Sequence, residues 1–528
     1  MKLTFYGAAQ EVTGSCYMLT VHGVKILVDC GLPQGHDAKP EHLLSFDPAT
    51  VDHVLMTHAH IDHCGLLPLL VKRGFKGNIH ATAATCDLMR IMLLDSAQIQ
   101  ESDAAWTNRK GTRSGYKPVE PLFTTQDVHK TAGLFVPHEY EEIVPIASFL
   151  SFRMVDAGHL LGSASIEIWL EEEGEHCKIV FSGDIGNVNA PILRNPQLLQ
   201  EADYVLMEST YGDRNHELSR DYAAEIATIF EETLGRGGNV IMPSFAVGRS
   251  QELLYIIREI KERHLVSSHP DFSVYLDSPM AIAATKIFER DLDGYADEAT
   301  IALLHSGEDP LRFAGLRLCQ SVEESRALNS DNEPKVIIST GGMCEGGRIR
   351  HHLKHNLWRQ DSCVVFVGFQ SLGTLGRRLV DGARQIDLFG EEIAVRATVH
   401  NFKRLSSHAD RSGLQEWIGA FTTKPRGVFI VHGESLVAQS FASDLVDLGY
   451  TAHAPNYGEV VDLINGTVLE QGTTKATTVA MASTAAWAKL QVAVDQLKDL
   501  VALKQGAPNI ELNRLTNQIQ SLLQKWRK

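Results

Sequence analysis

Thr57-His58-Ala59-His60-Ile61-Asp62-His63-Cys64-Gly65 decides the reading of this chain. It places three imidazoles and a carboxylate within six residues, directly after the apolar run 51–56. Imidazole nitrogen suits zinc, and a carboxylate completes or bridges a divalent site. The run predicts a buried strand, and at its end the spacing of two puts His58 and His60 on one side, because strand side chains alternate. Asp62 and His63 follow in a turn or the first helical residues, within reach of a second ion. A single surface histidine would be an ordinary solvated side chain; four ligating groups at this spacing predict a hydrolytic metal centre, with two metals.

Working outward, residues 1–30 alternate short β-type runs with glycine turns and end at Asp29-Cys30-Gly31. Asp29, at a strand end, is a candidate for orienting the metal ligands. Downstream, Asp156-Ala157-Gly158-His159-Leu160 sets a histidine beside a glycine that permits close backbone approach. The apolar run 178–181 delivers Asp184, placed to bridge two metals, and the run 204–207 ends in Glu208-Ser209-Thr210-Tyr211-Gly212. Strands and helices alternate throughout, so the first half is predicted to be a layered α/β domain.

From about residue 213 the pattern restarts as a strand-turn-helix rhythm, the signature of a parallel sheet with crossover helices. The small-residue loops 243–249, 277–280, 339–343 and 368–378 lead from strand ends into helix starts, where backbone N–H groups can hold phosphate. Arg249, Gly341, Gly342 and Arg377 are therefore candidate phosphate-binding residues, with Arg348 and Arg378 as further cations. Two histidine stretches come late: Ser406-Ser407-His408-Ala409-Asp410, and His432-Gly433-Glu434 after the apolar run 428–431. His400 stands outside any such pattern. His22, His53, His80, His129, His138 and His176 also lack ligand context and read as structural or exposed. Past about 472 the chain turns small and polar, then predicts two helices, 485–504 and 510–526, with coiled-coil-like spacing at Leu512, Leu515, Ile519 and Leu522.

The bulk numbers fit this reading. With 528 residues there is room for two or three domains at roughly 150 residues each. Hydrophobic content of 44% and charged content of 22% are those of an ordinary globular protein. No apolar run approaches the roughly 18–20 residues of a membrane span. Residues 1–7 show no signal-peptide layout, and the eight cysteines form no CxxC pair, so the expectation is a cytoplasmic protein with reduced thiols and no membrane partner. The net charge of −16 opposes general nucleic-acid binding, which favours basic surfaces, and implies that any nucleic acid would meet a local basic groove.

Taken together and in order, Asp29, the HxHxDH cluster, His159 and Asp184 resemble the motifs of the metallo-β-lactamase superfamily. Glu208, His408 and His432 resemble the three further motifs of its β-CASP branch, and the four small-residue loops resemble segments of that branch's inserted domain. The resemblance spans about residues 1–470 and is nearest to bacterial and archaeal relatives of the eukaryotic pre-mRNA 3′-end cleavage endonuclease. It implies an α/β fold: an αββα sandwich with an inserted parallel-sheet β-CASP domain and a C-terminal helical extension. The implied division is 1–212 and 395–471 for the sandwich, 213–394 for the insert, and 472–528 for the extension.

The resemblance also implies roles. His58, His60 and His159 would hold one Zn2+, and Asp62, His63 and His432 the other, with Asp184 and a hydroxide bridging them. Asp62 and Asp184 would position the hydroxide for attack on phosphorus, a two-metal in-line displacement. His408 would protonate the leaving oxygen as general acid, and Glu208 would hold its ring and favour its charged form. Histidine at position 432 marks RNA-processing members, the DNA-repair branch having valine, so single-stranded RNA is the expected substrate. A single-stranded DNA nuclease, a thioester or lactone hydrolase on the same fold, and an inactive RNA-binding scaffold are the alternatives. The tail helices suggest a homodimer contact.

Overall fold

The computed structural model describes residues 1–33, 43–111, 118–216, 221–368, 370–371, 373–402 and 406–473. In a separate C-terminal unit it describes 497, 500–501, 504 and 509–526. Two sheets carry the metal-type residues. In the first, eight strands run in the order Thr467–Thr473, Tyr457–Asp462, Lys2–Phe5, Tyr17–Val21, Val24–Val28, His53–Leu55, Asn78–Thr82, Phe135–His138. His22 and Gly23, both with positive φ (46° and 81°), make the tight hairpin between Tyr17–Val21 and Val24–Val28. In the second, seven strands run Ala452–His453, Gly427–Val431, Tyr204–Glu208, Glu175–Phe181, Ala164–Glu172, Leu150–Asp156, Val144–Ala147.

Alternation along each strand builds the layers. Leu3, Phe5, Phe152, Ile168, Ile179, Leu206 and Phe429 meet in the core between the sheets. Residues of opposite parity, Leu27 and Val54 on one side and Val180, Val205 and Ile430 on the other, pack outward under helices through Leu67, Leu88, Trp417 and Phe441. The central strands are thus covered on both faces, which is why Gly427–Val431 and Tyr204–Glu208 are buried at every residue, whereas the edge strand Thr467–Thr473 is exposed throughout. The result is the expected αββα sandwich.

A third sheet is wholly parallel, in the order Leu316–Leu318, Ser273–Asp277, Lys335–Thr340, Val240–Ser244, Cys363–Val367, Thr398–Phe402. It is inserted between Tyr204–Glu208 and Gly427–Val431, which are neighbours in the second sheet, with Glu208 opposite Val431. The expected division at 394/395 falls before Thr398–Phe402, and that strand hydrogen-bonds into the insert's sheet. Strands Tyr457–Asp462 and Thr467–Thr473 then return to the edge of the first sheet.

The eight cysteines are buried and free. No helix of the described residues is long and apolar enough to cross a membrane. In the C-terminal unit the second expected helix is present as Asn509–Trp526. Most of the first, 485–504, lies outside the described residues, as do Phe369, Arg404 and Leu405.

Candidate metal centre

The strand His53–Leu55 is shorter than the apolar run, and Met56 to His60 form the loop that follows it. His60 is the N-cap of a short helix, Ile61–Cys64, that carries Asp62 and His63. Asp29 ties the two halves of the cluster together. Its Oδ1 accepts from the Thr57 N–H at 2.8 Å and its Oδ2 from the Thr57 hydroxyl at 2.8 Å. The same Oδ2 lies 2.7 Å from His63 Nδ1. Asp29, 1% exposed, is thereby an orienting carboxylate rather than a surface turn residue.

Proton accounting fixes the tautomers. The Thr57 hydroxyl gives its one proton to Asp29, so at 3.1 Å it accepts from His58 Nδ1–H, leaving His58 Nε2 with a lone pair. His63 donates from Nδ1 to Asp29. His159 Nδ1 donates to the Ser407 carbonyl at 3.2 Å. At His432, Nδ1 is 3.0 Å from Thr210 Oγ1, and that hydroxyl also lies 3.2 Å from the His432 carbonyl. The hydroxyl proton goes to the carbonyl, a site with no alternative donor role, and Nδ1–H points at the hydroxyl oxygen. Nε2 of His58 and His159 therefore faces inward with a lone pair, while Nε2 of His63 and His432 faces the carboxylates of Asp184 and Asp62 at 3.3 Å and 3.6 Å. Hydrogen-bonding the remote ring nitrogen is how proteins orient histidine ligands.

These atoms form two groups. His58, His60, His159 and Asp184 present ligand atoms within 4.8 Å of one another, and so do Asp62, His63 and His432. His60 turns the other way from its neighbours: its Nδ1 lies 3.0 Å from His58 Nε2 and 3.2 Å from His159 Nε2. Asp184 stands between the groups. Its Oδ2 is 3.4 Å from His58 Nε2 and 3.5 Å from His159 Nε2, and its Oδ1 is 3.3 Å from His63 Nε2.

The residues fit divalent metal. Asp184 Oδ1 is buried without a hydrogen-bond partner among the described residues, a costly state that a cation relieves. The Nε2 atoms of His58 and His159 converge on His60 Nδ1 at 3.0 Å and 3.2 Å, three imidazole nitrogens at one point. Burial, outweighing the nearby carboxylates, holds His58 and His159 well below the usual histidine range, so both are neutral and ready to ligate. His63 differs: burial opposes its charge, but Asp184 and Asp29 raise it well above that range. Asp62 is drawn down to about 2: burial works against its charge, and the His432 hydrogen bond and His63 outweigh it.

His408 occupies the third corner. Its Nδ1 is 3.1 Å and 3.2 Å from the two oxygens of Glu208, and its Nε2 is 3.9 Å from Asp184 Oδ2. Glu208 is fully buried and held by the backbone N–H of Ile185 at 2.7 Å. Burial disfavours charge on His408, yet Glu208 and Asp184 overcome it and raise the ring to about 9. Gly186 pairs with His408 in an isolated β-bridge, and a Cβ at Gly186 would run into the Gly158 carbonyl beside His159.

The expected phosphate-binding residues are placed differently. Arg249 is buried in an ion pair with Glu252 on its own helix. Arg348 is bound to Asp277 at 2.7 Å, and Arg377 to Asp381 at 2.8 Å. Arg378 is exposed. The helix start at Leu375 is taken by protein: Glu345 accepts from the Leu375 N–H at 2.5 Å, and Thr374 caps Arg377. Gly341 and Gly342 lie at the end of the strand Lys335–Thr340, with the Gly341 N–H bound to the Ser244 carbonyl and the Gly342 carbonyl to Gln370. His400 is on Thr398–Phe402 and joins neither ligand group nor the cluster of Asp184, Glu208 and His408. His53, His80 and His138, read as lone histidines, form a file with nitrogens 3.1 Å and 2.9 Å apart. Thr57, Thr210 and the Ser407 carbonyl went unnoticed in the sequence; adjacency to the histidine and glutamate stretches was the one available signal.

Three families match the chain: the metallo-beta-lactamase superfamily over residues 9–222, the Beta-Casp domain over 250–379, and the Zn-dependent metallo-hydrolase RNA specificity domain over 392–455. The chain is 38% identical over 462 residues to "Ribonuclease TTHA0252" of Thermus thermophilus, an alignment that covers 87% of this chain and 100% of that protein. It is 30% identical over 458 residues to "Transcription termination factor FttA" of Methanosarcina mazei, covering 84% of this chain and 69% of that one. A solved protein of unknown function from Enterococcus faecalis V583 has a similar fold, with a TM-score of 0.50 at 14% identity over 89% of this chain and 99% of that one.

Proposed function

The chain belongs to the β-CASP RNA-processing nuclease family of the metallo-β-lactamase superfamily, and we propose that it is a zinc-dependent ribonuclease acting on single-stranded RNA with a histidine general acid. One observation carries the reading. Asp184 faces both ligand groups, with one oxygen buried and short of a hydrogen bond, and His408 Nε2 lies 3.9 Å from its other oxygen. A site for two cations and a proton donor thus share one carboxylate.

In this reading His58, His60 and His159 hold one zinc and Asp62, His63 and His432 the other, with Asp184 common to both. Bound zinc supplies hydroxide near neutral pH and neutralises charge building on the phosphate. Asp62 and Asp184 remain ionised and keep that region oriented. His408, charged through its contact with Glu208, delivers a proton from Nε2 to the leaving oxygen. The RNA preference is supported by the end-to-end match to a ribonuclease and by histidine at 432. The inserted parallel sheet argues against a small thioester or lactone as substrate, and the full ligand set against an inactive scaffold.

We read residues 1–212 and 395–471 as the catalytic sandwich and 213–394 as the insert, with Thr398–Phe402 extending the insert's sheet. A cytoplasmic protein and a homodimer through the C-terminal helices belong to the same reading. The apolar spacing Leu512, Leu515 and Ile519 on Asn509–Trp526 supports the dimer.

The test combines metal content with end-labelled substrates. Metal analysis should give two zinc per chain, and chelation should abolish cleavage that added zinc restores. Single-stranded RNA should be cut in strong preference to DNA of the same sequence. Comparing 5′- and 3′-labelled RNA separates internal cuts from stepwise removal. Less than one zinc per folded chain, or equal turnover of RNA and DNA, would defeat the respective claim.

A further inference from the structure

The insert's sheet is parallel throughout, so the carboxyl ends of its strands share one edge. One of those strands, Thr398–Phe402, ends shortly before His408. The carboxyl edge is the usual location for ligands in open α/β sheets, and the loop after the strand Val240–Ser244 brings Gly248 against Leu160, beside His159. Phe245 stands on this edge, immediately after the strand Val240–Ser244, and is 53% exposed. Its neighbours Ala246 and Val247 are 5% and 3% exposed, packed in one cluster with Leu160, the residue after the ligand His159. A Cβ at Gly248 would lie 3.0 Å from Leu160 Cδ1, so the Gly248 end of the loop meets the turn that carries His159.

The exposure of Phe245 is built, not incidental. Its carbonyl is held by the hydroxyls of Ser250 at 2.7 Å and Ser244 at 3.1 Å, which fixes the loop and aims the side chain out. On one side the ring lies against Gly342, where a Cβ would approach to 3.3 Å, and the Gly341 N–H ties that loop to the Ser244 carbonyl. The ring is held at its Cδ2–Cε2–Cζ edge by Gly342, and about half of the residue stays exposed. An apolar ring so exposed contributes little to the core, while a fixed aromatic face beside a phosphodiester-cleaving centre suits a nucleobase.

We propose that Phe245 is a base-stacking platform for a nucleotide flanking the scissile phosphate. The inference rests on the ribonuclease reading. The ligand is a nucleobase of any identity, since every base offers a π face, so Phe245 sets register and single-strandedness rather than sequence. A base can lie flat on the ring only when it is unpaired from the helical stack.

The experiment is single-turnover cleavage of 5′-labelled RNAs in which one abasic nucleotide is walked through the positions around the cut site. Zinc-loaded wild type, Phe245→Ala and Phe245→Trp are compared. For wild type, kcat/KM should fall about 5- to 150-fold at one position, the worth of one stacked base. Phe245→Ala should lose a similar factor on intact RNA, become indifferent to the abasic nucleotide at that position alone, and keep its zinc content. Phe245→Trp should behave as wild type. Phe245→Ala that cuts intact RNA at the wild-type rate, or that keeps the wild-type abasic profile, overturns the stacking role and leaves the ribonuclease reading intact. Wild-type protein that cuts none of the series overturns both.

Discussion

His408 Nδ1 meets Glu208 Oε1 at 3.1 Å although 200 residues of chain separate them. The partnership rests on sheet register: Glu208 ends a buried strand, and its carboxylate is pinned by the Ile185 N–H so that it cannot turn away. With Nδ1 occupied, the proton on Nε2 is the one aimed at the metal groups. His408→Ala should therefore lower the single-turnover cleavage rate by about 10²- to 10⁴-fold, the usual range for a general acid, with zinc content and KM little changed. Loss of less than tenfold would remove His408 from the proton-transfer role.

The same contact sets a pH dependence. His408 has a folded pKa of about 9, above the ordinary histidine value of 6.5. A raised pKa stabilises the fold fully below pH ~6.5, and that contribution is lost as pH rises through about 9. Metal-free wild type should accordingly lose thermal stability between pH 7 and 9 relative to Glu208→Gln, which lacks the anion. The cleavage rate should fall on the alkaline side as His408 loses its proton. In zinc-loaded protein that limb should lie below pH 9, because Asp184 then also serves the metals. An NMR titration of the His408 ring checks the metal-free value.

Thr210 carries a separate prediction. Its hydroxyl keeps His432 Nδ1 protonated and so leaves Nε2 free to ligate. Thr210→Val preserves shape and removes the acceptor. It should weaken zinc at the His63–His432 group by about 10- to 100-fold in chelator competition, the range for lost ligand-orienting partners. Thr210→Ser should retain wild-type affinity. Equal affinity in all three proteins would show that the contact orients nothing.

The insert holds one buried charge cluster. Asp277, fully buried, takes His352 Nε2 at 2.6 Å, the Ser325 hydroxyl at 2.6 Å and Arg348 at 2.7 Å. Asp277→Ala leaves the buried His352 imidazole and the part-buried Arg348 guanidinium without their shared carboxylate, so it should cost about 3 kcal/mol in equilibrium unfolding. A change below 1 kcal/mol would mean the cluster is solvent-compensated.

Much of the site was legible because its parts are covalently close. His58, His60, Asp62 and His63 sit within six residues, and a strand end followed by a helix start leaves them few ways to point. His159, Asp184, Glu208 and His432 were legible as strand-end residues after apolar runs. The arginines were not legible in this way. Helix starts after small-residue loops look alike whether the N–H groups are free or, as at Leu375, already satisfied by Glu345. Arg249 and Arg377 likewise pair three and four residues along their own helices, a choice that depends on rotamer and burial.

By itself, then, the order of residues determined the ligand chemistry of the cluster, the layered α/β first half and the parallel-sheet rhythm after 213, because periodicity and donor types are local properties. The αββα sandwich, the insertion and the two-group division of the ligands came only through the family that the motifs resemble. Only the tertiary structure decided that His60 turns Nδ1 inward, that Thr57 and Thr210 set their neighbours' tautomers, and that Asp184 keeps a buried oxygen short of a hydrogen bond. It also decided that Phe245 stands exposed at the carboxyl edge of the insert's sheet. Each of these depends on where a proton or a ring face ends up after strands hundreds of residues apart have paired, and pairing register is a property of the assembled sheets.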